Sequence, residues 1–209
     1  MNIINGLKDE LNLIIKEINK KNLHIKFYGA IGVKFYSRFH SRGTFDIDLF
    51  ALSEQQKDLI EIFKSMGYQI SRTKRRSDLV FFKKEPFKIK IDVELNRFKT
   101  FDNEFEINLI DYIKKDGVVL PPFLLLITKL FADLNDDNVY DLAHLISEGN
   151  PEIDKLKDFL GKLGVKQKII LQKISNLPEK ILKNKRIEKD IKNKSLRILK
   201  NIKRSLNLK

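Results

Sequence analysis

Two hydrophobic periods run along this chain, and the switch between them divides it. From Asn5 to Lys20, the residues Leu7, Leu11, Ile14, Ile15 and Ile18 recur at helical spacing, which predicts an amphipathic helix ended near Asn22. Ile25 to Tyr28 predicts a short strand, Gly29-Ala30-Ile31-Gly32 a turn, Val33 to Arg38 the start of a helix, and Phe45 to Leu52 a second strand. Ser53 with Gln56 three residues on reads as a capping box. The helix it opens carries Leu59, Ile60, Ile62, Phe63 and Met66 and stops at Gly67. Strands are expected at Tyr68–Arg72, Leu79–Lys83 and Phe87–Leu95, with Lys74-Arg75-Arg76 in a basic hairpin loop. In the last of these, Ile89, Ile91 and Val93 point one way, while Lys88, Lys90, Asp92 and Glu94 point the other. Residues 96–119 are mixed and polar, and Ile107–Ile113 reads either as a strand or as one helical turn.

From Pro121-Pro122 onward only the helical period remains. Helices are expected over 122–135, 137–148, 151–163, 166–175 and 178–206, punctuated by Gly149, Pro151, Gly164 and Pro178. The predicted fold class is α+β. A small mixed sheet flanked by helices occupies 1–119, and an all-helical C-terminal domain with a basic end occupies 120–209.

Composition narrows the chemistry. The 209 residues include no cysteine and three scattered histidines, His24, His40 and His144. That removes disulfides and thiolate metal sites and makes a His-rich site a poor expectation. His144 falls on an amphipathic helix, as a packed or solvent-facing residue. The N-terminus has no signal-peptide pattern, and the apolar run Val118–Ile127 is broken by prolines and too short for a span. A cytoplasmic protein without a membrane role is expected.

The net charge of +13 is unevenly placed. Residues 165–209 carry 15 Lys and Arg against 3 Asp and Glu, whereas the preceding 164 are nearly balanced, 26 against 25. Such a tail suits a polyanionic partner, nucleic acid first. Lysines that merely solvate exposed helix faces would give the same composition.

The candidate chemistry lies between Phe27 and Phe50. Asp46 and Asp48, two residues apart on a strand, project to one side. Asp-x-Asp alone is common on polar strand faces, but Ile47, Leu49 and Phe50 make this strand core-like. If the strand carrying Asp92 is its neighbour, three carboxylates converge. Hard oxygen ligands of this kind suit Mg²⁺ or Mn²⁺. Two such ions, roughly 3.5–4 Å apart, can clamp the attacking and leaving oxygens of an in-line displacement. Arg42 on the preceding loop offers a bidentate fork to phosphate, or is a solvent arginine. Thr44 can hold the loop through a backbone hydrogen bond. Lys34 could reach a triphosphate, though an exposed helix lysine is the plainer reading. Gly29-x-x-Gly32 is not a P-loop, because no Gly-Lys-Ser/Thr follows.

Tyr28-Gly29-Ala30, then Arg42-x-Thr44-x-Asp46-x-Asp48-Leu49, then Ile91-Asp92-Val93 resembles the polymerase-β-like nucleotidyltransferase superfamily, and within it the AbiEii-type toxin-associated branch. The resemblance covers about residues 25–148. It implies that Gly29 and Ala30 offer backbone N–H groups to a triphosphate. It implies further that Asp46 and Asp48 bind divalent ions and that Asp92 assists the attacking hydroxyl. Lys129, followed by Asp137-Asn138-Val139-Tyr140-Asp141, is similar to the branch's lysine and acidic helix motif. Lys129 would then contact phosphate and Asp141 would position Lys129 or the nucleotide. The pattern departs at Ala30, where Gly or Ser is usual, and at Val33–Ser41, which is richer in bulky aromatics.

The expectation is a nucleotidyltransferase acting from a nucleoside triphosphate on an acceptor hydroxyl. The acceptor would be a tRNA or other RNA held by the basic C-terminal helices, or a protein, in a toxin–antitoxin setting with a cognate antitoxin or other partner protein. The alternative is a degenerate module of the same fold that binds nucleic acid or a partner. An antibiotic-modifying transferase fits less well, because a basic tail suits a cationic aminoglycoside poorly.

Overall fold

The computed structural model describes residues 3–44, 46–71, 77–85, 88–99 and 106–208, with backbone only for 3–6 and 165. The basic loop Lys74-Arg75-Arg76 lies outside the described residues. The fold is α+β, a mixed sheet with helices followed by helices alone. The chain forms two compact units, Met1–Ile31 with Gly43–Leu120, and Gly32–Arg42 with Pro121–Lys209.

In chain order the first unit begins with α1 (Ile3–Lys20) and β1 (Ile25–Tyr28). Helix α2 (Gly29–Tyr36) opens in this unit, and its residues from Gly32 on group with the second. Then come β2 (Asp46–Ala51), α3 (Gln56–Ser65), β3 (Gln69–Ser71), β4 (Leu79–Lys83), β5 (Ile89–Leu95), β6 (Arg97–Lys99), β7 (Glu106–Asn108) and α4 (Ile110–Ile113). The main sheet has the order β1-β2-β5-β4-β3. Only β2 and β5 run parallel, with Asp48 opposite Asp92; the other pairs are antiparallel.

Side-chain alternation gives this sheet two different faces. Ile25, Phe27, Ile47, Leu49, Ala51, Leu79, Phe81, Ile89, Ile91 and Val93 form one core with Leu7, Ile14 and Ile18 of α1 and Leu59, Ile62 and Phe63 of α3. Each large apolar side chain buried there contributes roughly 1.5–3 kcal/mol. The other face carries Tyr28, Asp46, Asp48, Phe50, Asp92 and Glu94. It is not simply a solvated polar face. Glu94 is 1% exposed, accepting from the Tyr28 hydroxyl at 2.7 Å and the Lys99 N–H at 2.8 Å. Tyr28 stacks on Phe50 with ring centroids 4.1 Å apart.

The second unit is the end of α2 and the loop to Arg42, with α5 (Pro122–Phe131), α6 (Asp136–Gly149), α7 (Ile153–Gly161), α8 (Gln167–Lys183) and α9 (Lys189–Ser205). Helix α5 is apolar nearly all round and buried along its length, as expected of a central helix. The Asn135 side chain caps α6 by accepting the Asn138 N–H at 2.9 Å, and left-handed Asn150 ends it.

Several sequence expectations need correction. Gly29–Gly32 is the first turn of α2, not a free turn, so the helix starts four residues early. Ser53 does not cap; Ser53–Gln55 form a 3₁₀ turn with no side-chain cap, and Ser53 instead pairs with Asn96. Residues 107–113 hold both a strand end and a helical turn, and β6 was not anticipated. Pro178 does not break a helix. Ile170, Ile174, Leu177 and Ile181 are buried at helical spacing on either side of it, and that packing outweighs the lost hydrogen bond. The break comes at 184–188, where the Asn184 side chain donates to the Asp136 carbonyl at 2.8 Å.

Candidate functional site

The first unit holds the carboxylates. Asp46 is exposed, Asp48 half-buried and Asp92 9% exposed. Because Asp48 and Asp92 are Cα partners on parallel strands and Asp46 lies two residues before Asp48, all three project from the same face. Gly29 fixes where Asp48 can lie. Its φ is +62°, and a Cβ built there would sit 1.9 Å from Asp48 Oδ2. The carboxylate thus lies against the opening of α2, where backbone N–H groups lack helical partners and the helix dipole favours negative charge. Ala30 follows as the second residue of that helix and is 5% exposed. The Asp46 N–H donates to Thr44 Oγ1 at 3.3 Å, and the Thr44 hydroxyl returns a bond to the Asp46 carbonyl at 3.3 Å. Thr44 therefore braces the start of β2.

Asp92 forms an ion pair with Lys90, its same-face neighbour two residues earlier. Among the described residues no group of three or more His, Asp or Glu side chains gathers closely enough to hold a metal ion. The backbone register and hard-oxygen chemistry of Asp46, Asp48 and Asp92 suit a divalent ion, while the Asp92 carboxylate is turned to Lys90.

Gly29→Ala is expected to test this arrangement. A non-glycine residue in the left-handed region costs about 1–2 kcal/mol, and the added methyl forces the Asp48 carboxylate aside. Urea unfolding should show that loss; an unchanged midpoint would contradict the geometry.

The second unit holds a cation cluster around one carboxylate. Asp141, on α6, has a side chain with no exposure. Arg42 grips it with a fork, Nε to Oδ1 at 3.0 Å and Nη2 to Oδ2 at 2.9 Å. Lys129 Nζ donates to Oδ2 at 2.5 Å and to Asn138 Oδ1 at 3.2 Å, and His40 Nε2 lies 2.7 Å from Oδ1. Burial by itself pushes the Asp141 carboxyl up. The His40 hydrogen bond, the Lys129 charge and the Arg42 pair outweigh it and hold the carboxyl far below the usual range. Lys34 is half-buried, and desolvation lowers its ammonium, helped by the Arg42 charge. Arg42 also reaches Asp137 at 3.3 Å.

His144, expected to be packed or solvent-facing, is fully buried. Burial lowers its imidazole, which favours the neutral form. Its Nδ1 lies 3.0 Å from Ser37 Oγ, and the Ser37 hydroxyl donates to Glu148. The Nδ1–H tautomer satisfies that chain. His144 Nε2 and His40 Nδ1 are left without hydrogen-bond partners among the described residues.

Arg42, Lys129 and Asp141 thus come together in the second unit, and Asp46, Asp48 and Asp92 share a sheet face in the first. Two participants were missed in the sequence. Lys90 could have been found from its period-2 relation to Asp92. His40 carries no periodic signal, and only the fold brings it to Asp141.

The sequence matches no protein-family profile and no curated protein. Solved structures do resemble it in fold. The lincomycin-bound crystal structure of the lincosamide antibiotic adenylyltransferase LnuA aligns with a TM-score of 0.51 at 17% identity, covering 66% of this chain and 94% of that one. The crystal structure of JHP933 from Helicobacter pylori aligns with a TM-score of 0.53 at 12% identity, covering 99% of this chain and 94% of that one. The likeness is one of fold: the chain has a nucleotidyltransferase fold. Among the described residues no helix is long and apolar enough to cross a membrane.

Proposed function

We propose that this chain is a metal-dependent nucleotidyltransferase of the AbiEii-type branch, moving a nucleotidyl group from a nucleoside triphosphate to an acceptor hydroxyl. The observation that carries the reading is the β2–β5 register, which sets Asp48 opposite Asp92 with Asp46 on the same face. Divalent ions held by Asp46 and Asp48, with Asp92, would supply Lewis-acid stabilisation of the charge developing on phosphorus. The Asp92 carboxylate accepts the acceptor hydroxyl's proton; the freed oxygen bonds to the α-phosphorus as the bond to pyrophosphate breaks. Lys90 pairs with Asp92 on the same face, so the carboxylate must turn from Lys90 to meet the acceptor hydroxyl. The N–H groups of Gly29 and Ala30 at the opening of α2 suit phosphate oxygens. In the second unit, the Arg42 guanidinium and the Lys129 ammonium, set beside Asp141 and Asp137, are donors of the kind that suit phosphate oxygens. Asp141 holds both in place. The acceptor is an RNA end or a protein hydroxyl, and a toxin–antitoxin role follows from the branch resemblance alone.

Calorimetry with each nucleoside triphosphate tests the reading. Binding is expected with Mg²⁺ and lost in chelator, together with label transfer from an α-³²P nucleotide to total tRNA or protein. Absence of binding with all four nucleotides would overturn it in favour of a degenerate module. Label appearing only on a lincosamide or aminoglycoside would change the acceptor class and leave the chemistry standing.

A further inference from the structure

The segment Lys34-Phe35-Tyr36-Ser37-Arg38-Phe39-His40-Ser41-Arg42 has an inside and an outside. Ser37 and His40 are buried, 5% and 8% exposed, and fasten the segment to α6 through His144, Glu148 and Asp141. Ser41 adds a third tie, its N–H donating to the Tyr140 hydroxyl at 3.2 Å. The outside is unusual. Phe39 is 67% exposed and Phe35 47%, whereas Phe27, Phe50, Phe63, Phe81, Phe98, Phe123 and Phe159 are all buried. A buried phenylalanine stabilises a fold by roughly 1.5–3 kcal/mol, and here two are presented to solvent within five residues. Arg38 between them is exposed, Lys34 is half-buried, and 32–42 contains no acidic residue.

We propose that Phe35 and Phe39, with Arg38 and Lys34, form a stacking surface for consecutive unpaired nucleotides of a single-stranded nucleic acid. Aromatic side chains interleaved with cations are what such a strand needs, since each base offers a π face and each linkage one negative charge. Charge complementarity favours this occupant over a second apolar protein surface. The same unit carries the 15 basic and 3 acidic residues of 165–209, a field that attracts a polyanion. Two exposed rings exceed what one mononucleotide can use, and a duplex hides its base faces. The segment is held rigid by buried bonds, so little ordering is lost when a strand binds. The surface goes beyond the proposed transfer reaction; if that reaction holds, the bound strand is its acceptor.

The chain contains no tryptophan, so Phe39→Trp places a single reporter on the surface. Titration with a short oligouridylate, in chelator and without nucleotide, should quench its emission, while the same oligomer annealed to its complement should not. In fluorescence anisotropy with the wild-type chain as reference, Phe39→Leu should weaken the single strand by about 5- to 150-fold. Arg38→Gln should reduce the slope of log K against log salt by about 0.7. Circular dichroism of each variant should match the wild type, since the altered side chains are exposed. Equal binding of duplex with a neutral Phe39→Leu would overturn the proposal, because cations alone would then be responsible. Equal quenching by a nucleoside triphosphate would overturn it in favour of the donor base, and absence of strand binding would also overturn it. No arm requires transfer, so failure here leaves the nucleotidyltransferase reading to its own test.

Discussion

Asp48→Asn is expected to lower nucleotidyl transfer by about 10³-fold, which corresponds to ~4 kcal/mol of transition-state stabilisation. Asparagine has nearly the shape of aspartate, so the packing against Gly29 survives. What goes is the negative charge, the property a hard divalent ion requires of its ligand. Stability should fall only by about 0.3–1 kcal/mol, the usual worth of a negative charge at a helix N-terminus, because Asp48 lies against the opening of α2. A loss that small in the urea midpoint, beside a collapse of activity, separates a catalytic carboxylate from a structural one. A variant that keeps more than a tenth of wild-type transfer would remove Asp48 from the mechanism, and parallel losses of activity and stability would point to misfolding.

The residues that make β1, β2, β4 and β5 announce themselves because one face of each is packed on α1 and α3. Ile89, Ile91 and Val93 in alternation leave no other register for β5. Asp46 and Asp48 were legible for the same reason, as polar interruptions in an otherwise apolar strand. What local pattern could not carry was tertiary. Pro178 reads as a stop, yet the buried Ile174, Leu177 and Ile181 hold α8 together across it. Glu94 reads as one more polar-face residue, and the approach of Tyr28 and Lys99, which local pattern does not show, helps make its burial tolerable. Gly29 reads as a turn because glycine tolerates positive φ, which it does adopt; what the sequence does not show is that it must also leave room for the Asp48 carboxylate. His40 belongs to the Asp141 cluster through a contact 101 residues away in sequence, beyond the reach of any periodicity.

Asp141→Ala should destabilise the chain by about 3–5 kcal/mol, the cost typical of removing one partner from a buried ion pair. The reason is visible in what would remain. Lys129 and Arg42, with side chains 9% and 16% exposed, would keep their charges, and His40 would lose the acceptor of its Nε2–H. Adding Lys129→Met to the Ala variant should restore part of the loss, since an apolar residue there needs no counter-charge. Strict additivity in that cycle would show that the two side chains do not interact. The acid limb gives a second readout. Asp141 is held below its ordinary value when folded, so the unfolded chain takes up a proton there first as pH falls. Its contribution is complete above the unfolded carboxylate value of about 3.9 and declines as pH drops further. Wild-type stability should therefore fall steeply below about pH 4, and Asp141→Asn, with nothing to titrate at that position, should show a shallower acid slope. If the two slopes coincide, the cluster of His40, Arg42 and Lys129 does not act on Asp141 as the distances indicate.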